Sequence, residues 1–341
     1  MIWLTWRQFR GQLLVAAGLL ALVVAYLLYL GKTIRDSYNS DILGCVEAGG
    51  CLIDDATATF VREYRGLVTI PSIVLLALPA IIGVFWGTPL ITREFETNTH
   101  RLVWNQSVTR SHWLAVKLAF VGLVSVVVTG TLSLLLTWAA SRYDLVVGNR
   151  FDQMSFASRN IAPLGYIVFA FVLGTLLGML TRRTVPAMAT TLLIIGVVQI
   201  LAPTVARPHL RPPVTVSVAY DAETRARGGL LDIPRDTPLS ITGYTIPGAL
   251  TLTERTTLRT AGGQEVRAAD VPDCLGKDGP ASADGWQELE RCIAGKNLHF
   301  DLEAQPAVRY WSFQWIEFTT FLGLGLALSG VALWRIRRVR G

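Results

Sequence analysis

Residues 66–92 read GLVTIPSIVLLALPAIIGVFWGTPLIT, 27 positions without a charge, closed by Arg65 on one side and Arg93 on the other. An α-helix rises 1.5 Å per residue, so about 20 apolar residues cross the hydrocarbon core of a bilayer. This stretch is long enough to do so. No water in lipid can satisfy a bare backbone, so the stretch must be helical. Pro71 and Pro79 inside it predict kinks.

Working outward from this run, the same pattern recurs five times. Arg10 to Lys32 encloses 21 uncharged residues, Lys117 to Arg142 encloses 24, Arg159 to Arg182 encloses 22 and Arg183 to Arg207 encloses 23. The last run, Phe318 to Trp334, has 17 and is extended outward by Trp311 to Ile316. Over the 341 residues, hydrophobic types make up 51% and charged types 16%, against about 25% charged in a soluble domain. The alternation expected of an outer-membrane barrel is absent. The first run follows Arg7 and Arg10 as a signal peptide's would. It is too long for a signal peptide, and no small-x-small cleavage site follows it, so it reads as an uncleaved anchor. The expected fold is an all-α polytopic membrane protein with six transmembrane helices.

Orientation follows from charge. With the N-terminus inside, the inner segments are the start, the loop at 88–113, Arg182-Arg183 and the tail. They hold 12 basic residues against two acids, Glu94 and Glu96, and the remaining 19 basic and 23 acidic residues fall outside. Basic residues gather on the cytoplasmic side, so both termini are expected in the cytoplasm. The net charge of +6 is thereby a topology signal and implies no nucleic-acid partner. All four cysteines, Cys45, Cys51, Cys274 and Cys292, fall on the oxidising side, where disulfides persist. Three pairings are possible. Sequence proximity favours Cys45–Cys51 and Cys274–Cys292, with free thiols as the alternative.

The chain divides into residues 1–203 with five spans and the inner loop, residues 204–310 outside, and residues 311–341 with the last span and a basic tail. Trp3 and Trp6 beside Arg7 and Arg10 suit a start lying on the inner membrane surface. The outer stretch at 32–65 is acidic and expected to be small, and about 142–160 joins spans three and four. Gly174-x-x-x-Gly178 allows close helix approach, more readily within one subunit than between two. Val214 to Ala219 alternates like a strand, and Trp286 to Ala294 reads as a short helix with Gly295 at its C-cap. A small α+β extracytoplasmic domain is therefore expected between spans five and six. Tyr310, Trp311 and Trp315 would mark the outer interface and Trp334 the inner one.

Most chemical signatures are missing. Without G-x-x-x-x-G-K-[ST] the chain cannot cradle ATP phosphates, and without H-E-x-x-H or C-x-x-C a metal site is not expected. No G-x-S-x-G elbow occurs. His100 and His112 inside, and His209 and His299 outside, read as solvated or interfacial. Spans so poor in ionisable groups do not suit an ion-coupled carrier, and no inverted halves are evident. Glu317 comes nearest to the membrane interior; an interfacial carboxylate is the plainer reading and a substrate-contacting or gating role the sharper one. Gln199 adds polarity to a translocation path or simply bonds a neighbouring helix. Bonding between helices is also the expected role of Thr129, Ser133 and Thr137.

The most informative stretch is TREFETNTHRLVWNQSVTRSHWLAVK, residues 92–117. Helical spacing puts Arg93, Glu96 and His100 on one face and Arg101, Trp104 and Val108 on another. A short amphipathic helix here would lie on the membrane surface and offer mixed charge to a cytoplasmic partner. The alternative is a solvated connection.

This stretch resembles the loop after the second span in permease subunits of type-2 ATP-binding-cassette (ABC) exporters. That loop runs R-E-R-E-x-G-T, then a short helix, then P-x-S-R-x-x-x-x-x-K. Arg93, Glu94, Glu96 and Thr99 match its first part, and Ser107, Arg110 and Lys117 its second; Asn98 stands where glycine is usual. Gln305 to Glu317 is similar to the start of the last span in actinobacterial permeases of this group. The resemblance implies that Arg93, Glu94, Glu96, Thr99, Arg101 and Arg110 couple to a separate ABC ATPase subunit. It implies ATP and Mg²⁺ on that partner and no cofactor or catalysis on this chain. It further implies a second permease copy, as a homodimer or with a related chain, and an export path lined by spans two and five in a bacterial plasma membrane. Lipids, peptides or hydrophobic drugs would be the cargo and membrane lipids the surroundings. Glu94 and Glu96 are expected to meet basic residues of the ATPase. Two other classes compete: a sensor or assembly protein with a ligand-binding outer domain, and a membrane enzyme working at the outer surface.

Overall fold

The computed structural model describes residues 2–48, 52–97, 109–221, 223–225, 227–234, 237–275 and 283–338, with side chains from residue 17 onward except at 19, 48, 283 and 284. The chain divides into two compact units: residues 1–148, 152–203 and 311–341 form one, and residues 149–151 and 204–310 the other.

The first unit is helical. α1 (Ile2–Ser37) runs into a π-helical turn (Tyr38–Leu43) and α2 (Gly44–Ala48). α3 (Ile53–Ile82) continues through a π-helical segment (Gly83–Gly87) into α4 (Pro89–Glu96). α5 (Arg110–Ala139) is followed by the short α6 (Ser141–Val147) and α7 (Gln153–Ser158), then α8 (Ala162–Thr181) and α9 (Thr184–Leu201). In the second unit come α10 (Arg207–His209), β1 (Val214–Ala219), β2 (Leu230–Asp232), β3 (Ser240–Thr242), β4 (Leu250–Thr251) and β5 (Arg255–Thr257). They are followed by α11 (Pro272–Leu275), α12 (Ala283–Ala294) and β6 (His299–Gln305). α13 (Tyr310–Arg338) returns to the helical unit.

Among the described residues, five helical stretches are long and apolar enough to cross a membrane: Ile53–Glu96, Arg110–Ala139, Ala162–Thr181, Thr184–His209 and Ala307–Arg338. The first expected span lies in the 36-residue α1. The acidic stretch at 32–65, expected as a small loop, is helical through most of its described length, and 142–160 carries two helices. Asp152 starts the second of these by accepting from the backbone N–H groups of Met154 (3.1 Å) and Ser155 (3.3 Å), as an N-cap aspartate should.

α8 is the centre of the helical unit: 72% of its membrane window is buried, against 22–44% in the other four. Small residues make that enclosure possible. A Cβ on Gly165 would stand 2.7 Å from the Phe318 carbonyl oxygen, and one on Gly325 would stand 2.9 Å from Val168. α13 thus lies backbone-close to α8. Prolines are compensated from neighbouring helices. Pro71 has no N–H to give the Leu67 carbonyl one turn back, and the Tyr26 hydroxyl of α1 donates to that carbonyl at 3.2 Å.

The second unit is α+β. One antiparallel sheet has the order β1-β6-β4 and the other β2-β3-β5. The long pairing sets Val214 opposite Ala304 and Ala219 opposite His299. Tyr220, Leu239, Ile241, Leu258, Ile293, Phe300 and Leu302 are among the residues of its core. Cys274 and Cys292 are joined, tying α11 to α12; Cys51, and with it the pairing expected for Cys45, lies outside the described residues. Strand Val214–Ala219 has the expected bounds. Helix α12 starts before Trp286 and ends at Ala294 as expected, with Gly295 following it and its N–H bonding Arg291 O at 3.1 Å. Tyr310 is buried against Phe151, ring centres 5.5 Å apart. Trp311, Trp315 and Trp334 are exposed.

Candidate coupling site

Most of the amphipathic surface helix expected between Arg93 and Val108 lies outside the described residues. Its described start belongs to α4, the last two turns of the continuous Ile53–Glu96 stretch. Pro89 occupies its first turn, where a missing N–H costs nothing. Its apolar face, Leu90 and Ile91, is buried with Trp113 and Leu114 of α5, Met179 of α8 and Ala332 and Ile336 of α13. One end of the helical unit therefore gathers α4, the start of α5 and the ends of α8 and α13. Arg93, Arg182, Arg183, Arg335, Arg337 and Arg338 are exposed there.

The two acids bond back to this chain. Glu94 forms an ion pair with Lys117 of α5, and the Lys117 ammonium also sits 4.4 Å from the Trp113 ring centre. Glu96 accepts from the backbone N–H of Thr184 at 2.7 Å and from its hydroxyl at 2.9 Å. Arg183, at the N-cap of α9, makes no side-chain cap bond. Glu96 supplies that cap from another helix, and a carboxylate at a helix N-terminus is also favoured by the helix dipole. The carboxylates of Glu94 and Glu96 thus bind α5 and α9 of this chain, and Glu96 is exposed beside the exposed arginines. Thr99 and Arg101 lie outside the described residues, as does His100. Arg110 opens α5, whose cap is Thr109, with His112 N–H donating at 3.3 Å.

Behind α4 the helices touch through glycine and threonine. A Cβ on Gly174 would strike the Gly83 carbonyl oxygen, and one on Gly178 would stand 2.8 Å from both the Thr88 oxygen and Thr92 Cγ2. Gly174-x-x-x-Gly178 therefore packs within the chain, against a second G-x-x-x-G, Gly83 to Gly87, which sequence reasoning missed although the spacing is identical. Thr88 N–H bonds Gly83 O at 3.0 Å, the wide turn of the π segment. The Thr175 hydroxyl donates to Gly87 O at 3.1 Å. Thr88 and Thr191 oxygens lie 3.4 Å apart, and Thr184 and Thr92 oxygens 2.9 Å apart. α4, α8 and α9 are thus joined by short polar contacts with no flexible side chain between them.

Gln199 and Glu317 belong elsewhere. Gln199 donates to the Leu76 carbonyl of α3, beside the Leu75 carbonyl that Pro79 leaves without a helical donor; it is a bond between helices. Glu317 is 4% exposed and accepts from the Tyr166 hydroxyl at 2.9 Å. One turn earlier, Gln314 receives the Ala162 N–H at 2.9 Å and donates to Phe156 O at 3.1 Å. Ser133 similarly donates to Asn160 O and Thr137 receives the Asn160 N–H.

The chemistry of the cluster is mechanical: it holds a charged helix end rigidly against three spans. No curated protein and no solved structure matches the chain. A family model described as ABC-2 membrane transporter related matches residues 17–207, more than half the chain and the part that carries α3, α4 and the α8–α9 turn. The chain belongs to the ABC-2 membrane transporter related family and is an ABC-2 type permease.

Proposed function

We propose that this permease is the membrane subunit of an ABC exporter whose ATP and Mg²⁺ are bound by a separate ATPase subunit docked at α4. Two permease copies, or this chain with a related one, and two ATPases form the working unit. Six spans cross a bacterial plasma membrane with both termini in the cytoplasm and residues 204–310 outside. Its cargo is a lipid, peptide or hydrophobic drug.

The observation that carries the reading is the pinning of α4. A helix end that continues span two and is fixed to α5 by Glu94–Lys117 and to α9 by Glu96–Thr184 cannot move alone. Force applied there reaches three spans. The exposed Arg93, Arg182 and Arg183 give the docking face a positive sign, so acidic groups on the ATPase are their partners, and Glu94 and Glu96 are positioning residues.

Co-purification with a Walker-motif ATPase and reconstitution test the proposal. Glu96→Ala should lower cargo-stimulated ATPase activity while the permease still inserts and still binds its ATPase; Arg93→Glu should instead weaken binding itself. A chain that co-purifies with no ATPase would favour the sensor reading and refute this one. Full coupling in Glu96→Ala would refute the transmission route.

A further inference from the structure

At the end of the helical unit away from α4, a groove of about 550 Å³ is lined by Thr57, Ala58, Val61, Arg62, Arg65 and Val146. Arg62 and Arg65 are three residues apart on α3 and so share a face. Both are exposed, and among the described residues neither forms an ion pair. The rest of the lining is apolar apart from Thr57, with no carboxylate to compete for the guanidinium groups.

The depth of this groove is fixed by the helix. From Arg65 to Arg93 is 28 residues, about 42 Å of helix, which equals the roughly 40–45 Å of a bilayer with its headgroups. Arg65 therefore stands at headgroup depth in the leaflet opposite α4, with Arg62 about one turn farther out. Below Arg65, at i+4 and i+8, the half-buried Thr69 and the exposed Ile73 continue the same face toward the bilayer centre without a charge. A molecule with an anion at its head and an acyl chain beneath it fits that order of groups.

We propose that this groove holds the headgroup of an anionic phospholipid. The phosphate lies between Arg62 and Arg65, Ala58, Val61 and Val146 line the groove beside it, and one acyl chain runs past Thr69 and over Ile73. Charge complementarity selects the occupant: a zwitterionic headgroup carries its own cation and would place it beside two arginines that have no carboxylate partner.

Titration of the full-length detergent-solubilised chain with phosphatidylglycerol, followed by native mass spectrometry, tests the site. Each arginine near an anionic lipid contributes about 1 kcal/mol, so Arg62→Gln with Arg65→Gln should weaken phosphatidylglycerol binding about 30-fold. Val146→Trp, which fills the groove and removes no charge, should weaken it comparably. Arg142→Gln, an arginine at the same end outside the groove, should leave it unchanged. Undiminished binding in the double variant would overturn the site. So would an equal loss in Arg142→Gln, which would mean diffuse attraction, or soluble glycerol phosphate binding as tightly as the lipid.

Discussion

Replacing Gly174 by alanine tests one of the closest helix contacts among the described residues. The new methyl group would strike the Gly83 carbonyl oxygen and stand 3.2 Å from the Thr88 nitrogen. These are backbone atoms of a π-helical segment, so no rotamer change relieves them, and α8 must move away from the α3–α4 stretch. Alanine improves helix propensity by about 1 kcal/mol over glycine. Overpacking costs about 1–3 kcal/mol, and stretching the Thr175–Gly87 hydrogen bond forfeits about 1 kcal/mol more. The net expectation is a loss of about 1–3 kcal/mol. Gly196 of α9, which has nothing within 4 Å of its would-be Cβ, supplies the control: Gly196→Ala should keep the propensity gain. Thermal unfolding of both variants in the same detergent makes the comparison. If Gly174→Ala melts at or above Gly196→Ala, the close-contact reasoning is wrong.

Three further outcomes are expected. Arg159 is buried and ion-paired with Asp144, so Arg159→Met alone should cost about 3 kcal/mol or more, and adding Asp144→Asn should recover a large part of it; a double-mutant cycle with no coupling would refute the pairing. Cys274–Cys292 closes a loop of sequence separation 18, for which chain entropy gives about 3 kcal/mol. Cys274→Ser with Cys292→Ser should therefore lower the melting of the second unit, and reductant should then add nothing. Burial holds the Tyr220 phenol well above its ordinary value, so it ionises later in the folded state than in the unfolded one. The stability it contributes is whole below the unfolded-state value and is lost as pH rises toward the folded-state one. Absorbance titration should show late-ionising tyrosine in the native protein, and Tyr220→Phe should reduce that signal.

Much of the fold was legible because a bilayer leaves few solutions. The run between Arg65 and Arg93 had to be a helix, and the alternating Val214–Ala219 read as a strand, whose Val216 and Val218 are half-buried. Gly174-x-x-x-Gly178 announced a close approach, and the paucity of charged groups in the spans pointed away from ion coupling. Those readings need only local composition and period. The site was less legible. Helical spacing of Arg93, Glu96 and His100 suggested a surface helix, but spacing alone does not say whether a carboxylate looks outward or back at its own chain. Glu94 finds Lys117 23 positions away and Glu96 finds Thr184 88 positions away; no spacing rule reaches that far. The burial of Glu317 was likewise not legible, because it comes from Tyr166 and Phe321 of two packed helices.

By itself, then, the sequence determined which segments are apolar enough to leave water and which end of each carries arginine, since transfer free energy is a property of the residues alone. Only the tertiary structure decided what each polar group inside the bundle is bonded to, that α4 continues span two, and that two glycine pairs let three spans meet. A hydrogen bond or a close backbone contact depends on where the partner helix stands, and that is settled by packing of the whole unit.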